Sequence, residues 1–212
     1  SAHIHFVSYN GFDPKKGEYW VYLEVDEGSY GGRYGKDAID SCDALVANTR
    51  NVPIEEIEWH YPLRIERYEL NPELVAPGKW RGGLGIIRET RFLEGGTVTC
   101  EGDRHHEAPK GLFGGADGHS GSLTKNPRTE GAVSLPSKLS DEEFGVGDVL
   151  QIRTPCGGGY GNPFERDPQL VLSDVLDDFT TVEDAEKSYG VVIDPVEMTI
   201  DFAATEELRA RA

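Results

Sequence analysis

Two pairs of histidines have the type and spacing that most directly suggest chemistry in this sequence. His3 and His5 alternate on a predicted strand, so their imidazoles share one face, and His105 and His106 are adjacent in a polar loop. Histidine is a common metal ligand and proton carrier. Neither pair has an HExxH motif or a third ligand at a fixed spacing. Metal binding therefore stays open beside two simpler interpretations, a surface or interface strand for His3 and His5 and a polar loop for His105 and His106.

An arginine in the stretch GKWRGGLGIIRE is a further candidate. Arg81 is followed by two glycines, which allow a close approach of the backbone. A guanidinium there is suited to bidentate binding of a carboxylate or phosphate. The alternative is a β-bulge that places Arg81 in an internal ion pair.

Residues 28–51 have no clean hydrophobic period and are predicted to form a long, ordered loop. Such loops carry function or pack against a partner subunit, and both interpretations remain open. Its charged and amide side chains include Arg33, Lys36, Asp37, Asp40, Asn48, Arg50 and Asn51.

Two glycine-rich stretches, 104–121 and TPCGGGYGNP at 154–163, raise the question of phosphate binding. Neither fits GxxxxGK[ST], and no helix directly follows the second to offer its N-terminus to an anion. The sequence also lacks a GxSxG elbow, a Ser-His-Asp set and a CxxC pair. We therefore expect 154–163 to form a sharp corner after a strand, a structural or interface-forming loop close to the site whose glycines let the backbone approach a neighbour.

Composition excludes several classes of protein. The 212 residues carry 38 acidic and 21 basic side chains, a formal charge of −17, which disfavours nucleic acid as a partner. No apolar run reaches the roughly 18–20 residues of a membrane span, and no signal peptide is recognised. Three widely spaced cysteines predict reduced thiols and a cytoplasmic protein. The start without Met, inside a predicted strand, suggests a fragment, a processed subunit or one chain of a split protein.

The 26 glycines and 12 prolines divide the chain into short runs. They predict a mainly β (α+β) fold, with a sandwich-like antiparallel β body, loop-rich insertions and a helical C-terminal tail. We expect the body to span residues 1–165 and the tail to span 166–212. Predicted strands cover 4–9, 19–25, 63–70, 84–93, 96–100 and 147–155, with a hairpin turn at 94–96. Predicted helices cover 51–62, 167–179, 181–190 and 205–212, with Pro53 first in its helix, and Thr181 and Gly190 as caps.

Several blocks, in this order, resemble the C-terminal part of the hydantoinase B family. They are GSYGGRYGKDAID, NTRNVPIEEIEWHYPLRIERYEL, GKWRGGLGIIRETRFL, DR with PKGLFGG, and GDVLQIRTPCGGGYGNPFERDPQLVLSDV with AEKSYGVV. The resemblance runs from Gly28 to about Val192. It departs at Cys156 and Ala38, where the family commonly has glycine.

The resemblance implies an ATP-dependent enzyme complex. An A-type subunit with an actin-like ATPase fold phosphorylates a lactam, cyclic ureide or enolate, and the B-type subunit completes hydrolysis or carboxylation. It further implies a His/Asp metal site in an N-terminal B-type portion that this sequence lacks. We therefore expect no cofactor or metal in this chain, and ATP, Mg²⁺ and a divalent metal in partner chains.

Three hypotheses follow from the resemblance. The chain is a subunit of a cyclic amide hydrolase of the hydantoinase/oxoprolinase type, a subunit of an ATP-dependent ketone carboxylase, or a non-catalytic scaffold of such a complex. For the hydrolase, the arginines of the family-like blocks would neutralise the phosphorylated oxygen or a developing oxyanion, and Asp37 would orient water or an arginine. The candidate site residues are Arg33, Asp37, Asn51, Arg81 and Arg104.

Overall fold

The computed structural model describes residues 4–42 and 49–211, without the side chain of Leu74. Predicted positions His3 and Asn48 lie outside the described residues. The strands are β1 (Ile4–Asp13), β2 (Glu18–Glu27), β3 (Leu63–Leu70), β4 (Ile86–Phe92), β5 (Gly96–Gly102), β6 (Ser122–Lys125), β7 (Val133–Leu135), β8 (Lys138–Phe144), β9 (Val149–Arg153), β10 (Ile193–Asp194) and β11 (Thr199–Ile200). The helices are α1 (Ile54–His60), α2 (Pro168–Leu176), α3 (Val182–Tyr189) and α4 (Phe202–Ala210), with 3₁₀ turns at Pro72–Leu74 and Pro163–Glu165.

Two antiparallel sheets form the body. One has the strand order β2-β1-β5-β8 and the other β3-β4-β9-β6-β7. Alternating side chains turn inward from each, such as Val7 and Tyr9 from β1 and Leu150 and Ile152 from β9. These residues share one core, which confirms the predicted antiparallel sheet fold and the helical C-terminus.

The tail has a smaller core of its own. Val171 and Val175 of α2 pack with Ala185 and Tyr189 of α3 and with Ile193 of β10. The two-stranded β10–β11 hairpin was not foreseen, because each strand has only two residues. The tail is therefore helical as predicted, with a small hairpin before α4.

The caps of α2 and α3 follow from local sequence. Asp167 caps α2 by accepting from Gln169 N, and Thr181 caps α3 by accepting from Asp184 N. Gly190 ends α3 in the left-handed conformation, with φ of 63°. The predicted caps of α3 are confirmed. Pro53, in contrast, stands at the N-cap of α1 rather than inside the helix.

The predicted hairpin at 94–96 is wrong. Both edges of β4 are occupied, by β3 and β9, so β5 has no free edge there and joins the other sheet beside β1. The segment between Phe92 and Gly96 is a crossing between sheets. A Cβ on Gly96 would lie 2.4 Å from the carbonyl oxygen of Asn10, so glycine permits this entry.

Candidate functional site

Four loops meet beyond the end of β9, and this meeting place is called the loop junction here. They span residues 28–42, 76–85, 109–119 and 154–161, and the last lies in the middle. Its backbone is bonded to each neighbour: Gly32 N donates to Gly158 O at 2.9 Å, and Leu112 N donates to Gly159 O at 3.0 Å. Trp80 and Tyr160 exchange two backbone hydrogen bonds, of 3.0 and 2.9 Å. The predicted corner is thus a hub for three other loops.

Glycine is required at this hub because backbone passes against backbone. A Cβ on Gly157 would lie 2.0 Å from Tyr30 O, and one on Gly159 would lie 2.1 Å from Pro77 O. Gly157 N donates to Ser29 Oγ at 2.8 Å and Gly159 N to Ala116 O at 2.9 Å. These amides serve the fold rather than a phosphate, and the neighbour approached belongs to the same chain.

Cys156, the departure from glycine, is accommodated by the fold. Its side chain is buried, and Gly85 N donates to Sγ at 3.2 Å. Burial raises the pKa of this thiol to about 11. Ala38, the other departure, has no positive φ, and its N–H donates to Arg81 O at 3.0 Å. Neither departure disturbs the loop junction.

Beneath the junction lies a buried ion network of two arginines and three aspartates. Arg81 donates to both oxygens of Asp40, at 2.8 and 3.2 Å, and to Asp174 Oδ1 at 3.2 Å. Arg166 donates to both oxygens of Asp37, at 2.7 and 2.9 Å, and to Asp174 Oδ2 at 2.8 Å. Asp174 thus joins the two arginines, and through them α2 is bound to the loops of the body.

The network keeps Arg81 charged and occupies its guanidinium with two aspartate partners. Burial alone would lower the pKa of its guanidinium, but Asp40 and Asp174 raise it above its ordinary value. Burial raises the pKa of Asp174, against the two arginines that lower it. An anionic substrate would have to displace Asp40 or Asp174 from Arg81. The internal ion pair considered from the sequence is what the structure shows, without a β-bulge.

The five candidate site residues do not converge on one point. Asp37 and Arg81 are together, since Arg81 N donates to Asp37 Oδ1 at 2.8 Å. Arg33 is exposed, and its backbone exchanges hydrogen bonds of 3.1 and 3.0 Å with that of Lys36. Asn51 is exposed and its amide donates to the Tyr68 hydroxyl, and Arg104 is exposed with φ of 58°. The catalytic roles of these residues remain predictions.

An aromatic ridge covers the surface of the loop junction. The rings of Tyr34, Trp80, Tyr160 and Phe113 follow one another with centroid distances of 5.2, 5.6 and 4.9 Å. Tyr34 is 81% exposed and Phe113 is 77% exposed, and Lys79 Nζ lies 5.4 Å from the Trp80 ring centroid. Aromatic residues are enriched at protein interaction surfaces. No sequence pattern predicts the ridge, because its rings come from four separate loops.

The histidines that are in contact in the structure are not the pairs considered from the sequence. His5 Nε2 lies 2.7 Å from His105 Nε2, whereas His106 is exposed. Among the described residues, no group of three His, Cys, Asp or Glu side chains is placed to hold a metal ion. The described residues therefore do not fit a metal centre with three or more protein ligands. The resemblance implies such a centre for an N-terminal B-type portion.

No helix in the described part of the chain is long and apolar enough to cross a membrane.

The chain is similar to one family of known proteins. A family model described as Hydantoinase B/oxoprolinase matches residues 1–163, including residues 1–27, where the resemblance is less clear. The chain is 55% identical over 192 residues to the B-type subunit of a putative D-/L-hydantoinase from Pseudomonas sp. (strain NS671), covering 90% of this chain and 32% of that protein.

Two solved structures share the fold. The ATP-dependent caprolactamase from Pseudomonas jessenii aligns with a TM-score of 0.79 and 23% identity, covering 99% of this chain and 38% of that chain. Nucleotide-free acetone carboxylase aligns with a TM-score of 0.76 and 20% identity, covering 98% and 32%. The chain spans about a third of the length of these proteins.

Proposed function

We propose that this chain, which belongs to the hydantoinase B/oxoprolinase family, is one module of an ATP-dependent cyclic amide hydrolase. The observation that carries the proposal is the 55% identity to the B-type subunit of a putative D-/L-hydantoinase over 90% of the chain. The likeness to acetone carboxylase, at 20% identity, supports the shared fold alone. Hydrolysis of a cyclic ureide or lactam is therefore favoured over ketone carboxylation.

The module acts with partners in this proposal. An A-type actin-like ATPase phosphorylates the amide oxygen, and a metal-bearing B-type portion, in the same or another chain, completes the site for attack by water. The names of the relatives support such partners, since both the hydantoinase and the caprolactamase relatives are named as subunits. The chain spans about a third of the length of its relatives, and in this proposal the partners supply the rest of the site.

The aromatic ridge is the proposed contact with that assembly. Tyrosine, tryptophan and arginine dominate the binding energy of protein interfaces. Arg33 adjoins Tyr34 at the exposed tip of loop 28–42, where its guanidinium can meet an anionic group. In contrast, the buried ion network positions the loop that carries this tip. In this proposal Arg81 and Asp37 are positioning residues for the loop that carries this tip.

Assembly is tested by measuring the Kd between the chain and the rest of its complex. The Tyr34→Ala and Phe113→Ala variants should each weaken binding by about 2 kcal/mol, roughly 30-fold, if these rings are interface hot spots. Tyr19→Ala is the matched control, because Tyr19 is 87% exposed on β2, outside the aromatic ridge. Unchanged Kd values for both ridge variants would show that the ridge is not the contact.

Activity is tested in the assembled complex by following ATP-dependent ring opening of a hydantoin or a lactam. Turnover should need ATP and proceed without bicarbonate. Arg33→Ala should lower kcat by about 100-fold, as expected for loss of one donor to a developing oxyanion, while assembly is kept. Strict dependence on bicarbonate with a ketone substrate would instead establish a carboxylase. Full activity of Arg33→Ala in the intact complex would remove this residue from the site.

A further inference from the structure

His5 and His105, 100 positions apart in the sequence, are in contact where β1 begins and β5 ends. His5 lies on β1 and is fully buried, and His105 follows β5 in the loop after Gly102. Their Nε2 atoms are 2.7 Å apart, and their ring centroids are 5.0 Å apart. At this distance the two nitrogens share a hydrogen bond, and which ring donates depends on the tautomers.

We propose that His5 and His105 bind one transition-metal ion, Zn²⁺ or Ni²⁺, through their two Nε2 atoms. The inference goes beyond the proposed function, and it assigns a metal to a chain for which the sequence predicted none. Imidazole ligands suit zinc, copper and nickel and do not suit magnesium or calcium. Among the described residues no third His, Cys, Asp or Glu joins the pair, and in this proposal water or an added ligand completes the coordination.

The distance between the two nitrogens is close to what such an ion requires. Metal–nitrogen bonds of about 2.0–2.1 Å place two ligand nitrogens roughly 2.9 Å apart at a right angle and about 3.3 Å apart at a tetrahedral angle. From 2.7 Å, the rings must separate by about 0.2–0.6 Å for these geometries. His105 is only partly buried and lies in a loop, so its ring can make this movement without disturbing β1.

Gly102 makes room for the pair. It stands opposite His5 in the strand register, and a Cβ at this position would lie 2.8 Å from His5 Cδ2 and 2.9 Å from His105 Nε2. Any other side chain would force the rings apart. The glycine of β5 thus leaves the two imidazoles in direct contact.

Acidic and basic side chains both lie near the histidine pair. Asp26 is opposite His5 on the same face and is 1% exposed, and Arg88 Nε lies 3.7 Å from its Oδ1. His105 also lines a cavity of about 310 Å³, together with the carboxylates of Asp103 and Glu107 and the cationic side chains of Arg104 and Lys138. This cavity gives an ion access to solvent.

The test is isothermal titration of the chelator-treated 212-residue chain with ZnCl₂, NiCl₂ and CaCl₂. One Zn²⁺ or Ni²⁺ should bind per chain, without a matching Ca²⁺ site. His105→Ala should weaken binding at least about tenfold, the lower range seen when the supporting groups of a metal site are lost. His60→Ala is the control, since His60 is an exposed histidine on α1, with 58% of its side chain accessible.

Three outcomes would overturn the proposal. They are equal zinc affinity in His105→Ala and the parent chain, Ca²⁺ binding as tight as Zn²⁺ binding, and no binding of either transition metal. Each would leave the pair as a hydrogen bond alone. Long-range ¹H–¹⁵N NMR of the parent chain provides a measurement independent of any variant. Zn²⁺ should shift the Nε2 signals of His5 and His105 and leave that of His60 in place.

Discussion

Replacing Asp174 with Asn should cost the protein a large share of its stability. Asp174 is 7% exposed and accepts from Arg81 at 3.2 Å and from Arg166 at 2.8 Å. Both guanidiniums are buried, so each depends on nearby carboxylates for charge compensation. Asparagine keeps the shape of the side chain but removes the shared negative charge.

The expected loss is about 3–5 kcal/mol, the usual effect of removing one partner from a buried ion pair. The lower end is favoured because Asp40 still pairs with Arg81 and Asp37 still pairs with Arg166. For a chain of this size, each kcal/mol lowers Tm by roughly 2–4 °C. The midpoint should therefore fall by about 6–20 °C, with roughly 6–12 °C for the lower estimate.

The assay is urea unfolding followed by far-ultraviolet circular dichroism, with a thermal melt for Tm. Asp177→Asn is the matched control, because Asp177 lies at the exposed C-terminal end of the same helix, α2. It should stay within about 0.5 kcal/mol of the parent chain. A similarly small effect of Asp174→Asn would refute the idea that this carboxylate holds the tail to the body.

Three other predictions concern different parts of the body. Glu89→Gln should lose about 1–3 kcal/mol at pH 7, since hydrogen bonds from arginine and glutamine lower the pKa of this buried carboxyl, and the loss should shrink as the pH falls through that pKa. Gly157→Ala should cost at least about 1–3 kcal/mol by urea unfolding, because its Cβ would lie 2.0 Å from a carbonyl oxygen. Burial raises the thiol pKa of Cys100 to about 12 and that of Cys156 to about 11, so a disulfide reagent at pH 8 should label neither until the chain unfolds.

Each of these has a direct check. For Glu89, the folded pKa is below the unfolded one, so the unfolded chain takes up the proton first as the pH falls and the stabilisation disappears. A difference between Glu89→Gln and the parent that is constant from pH 7 to pH 3 contradicts this. Gly131→Ala is the control for Gly157, since only Thr129 Oγ1, at 3.7 Å, lies near its added Cβ. Rapid labelling of more than one of the three thiols in the folded chain would contradict the burial of Cys100 and Cys156.

Secondary-structure elements were predicted well where the local residue pattern agrees with the position of the element in the fold. The alternation in 63–70 predicted β3 to the residue, and Thr181 and Gly190 placed the ends of α3. β8 was missed because four of its seven residues, Lys138–Phe144, are charged. As an edge strand of its sheet, it exposes one side to water and needs little apolar alternation.

The candidate site was only partly predictable because its contacts are long-range. Arg81 was recognised as either a ligand binder or an ion-pair member, but its partner Asp174 is 93 positions away and had no motif of its own. The histidines were paired with their sequence neighbours, whereas the fold pairs His5 with His105. Spacing along a chain reports shared faces within one element and is silent about which elements become neighbours.

The order in which the chain fills its two sheets has a consequence for how the body folds. The four-stranded sheet takes β1, β2, β5 and β8, while the other takes β3, β4, β6, β7 and β9. Neither sheet is complete until almost all of the segment from Ile4 to Arg153 is available. Interleaved sheets with such distant pairings fold slowly, because loop closure precedes the contacts that reward it. A growing chain therefore commits to this fold late, and a break in any loop between β3 and β8 divides the strands of both sheets.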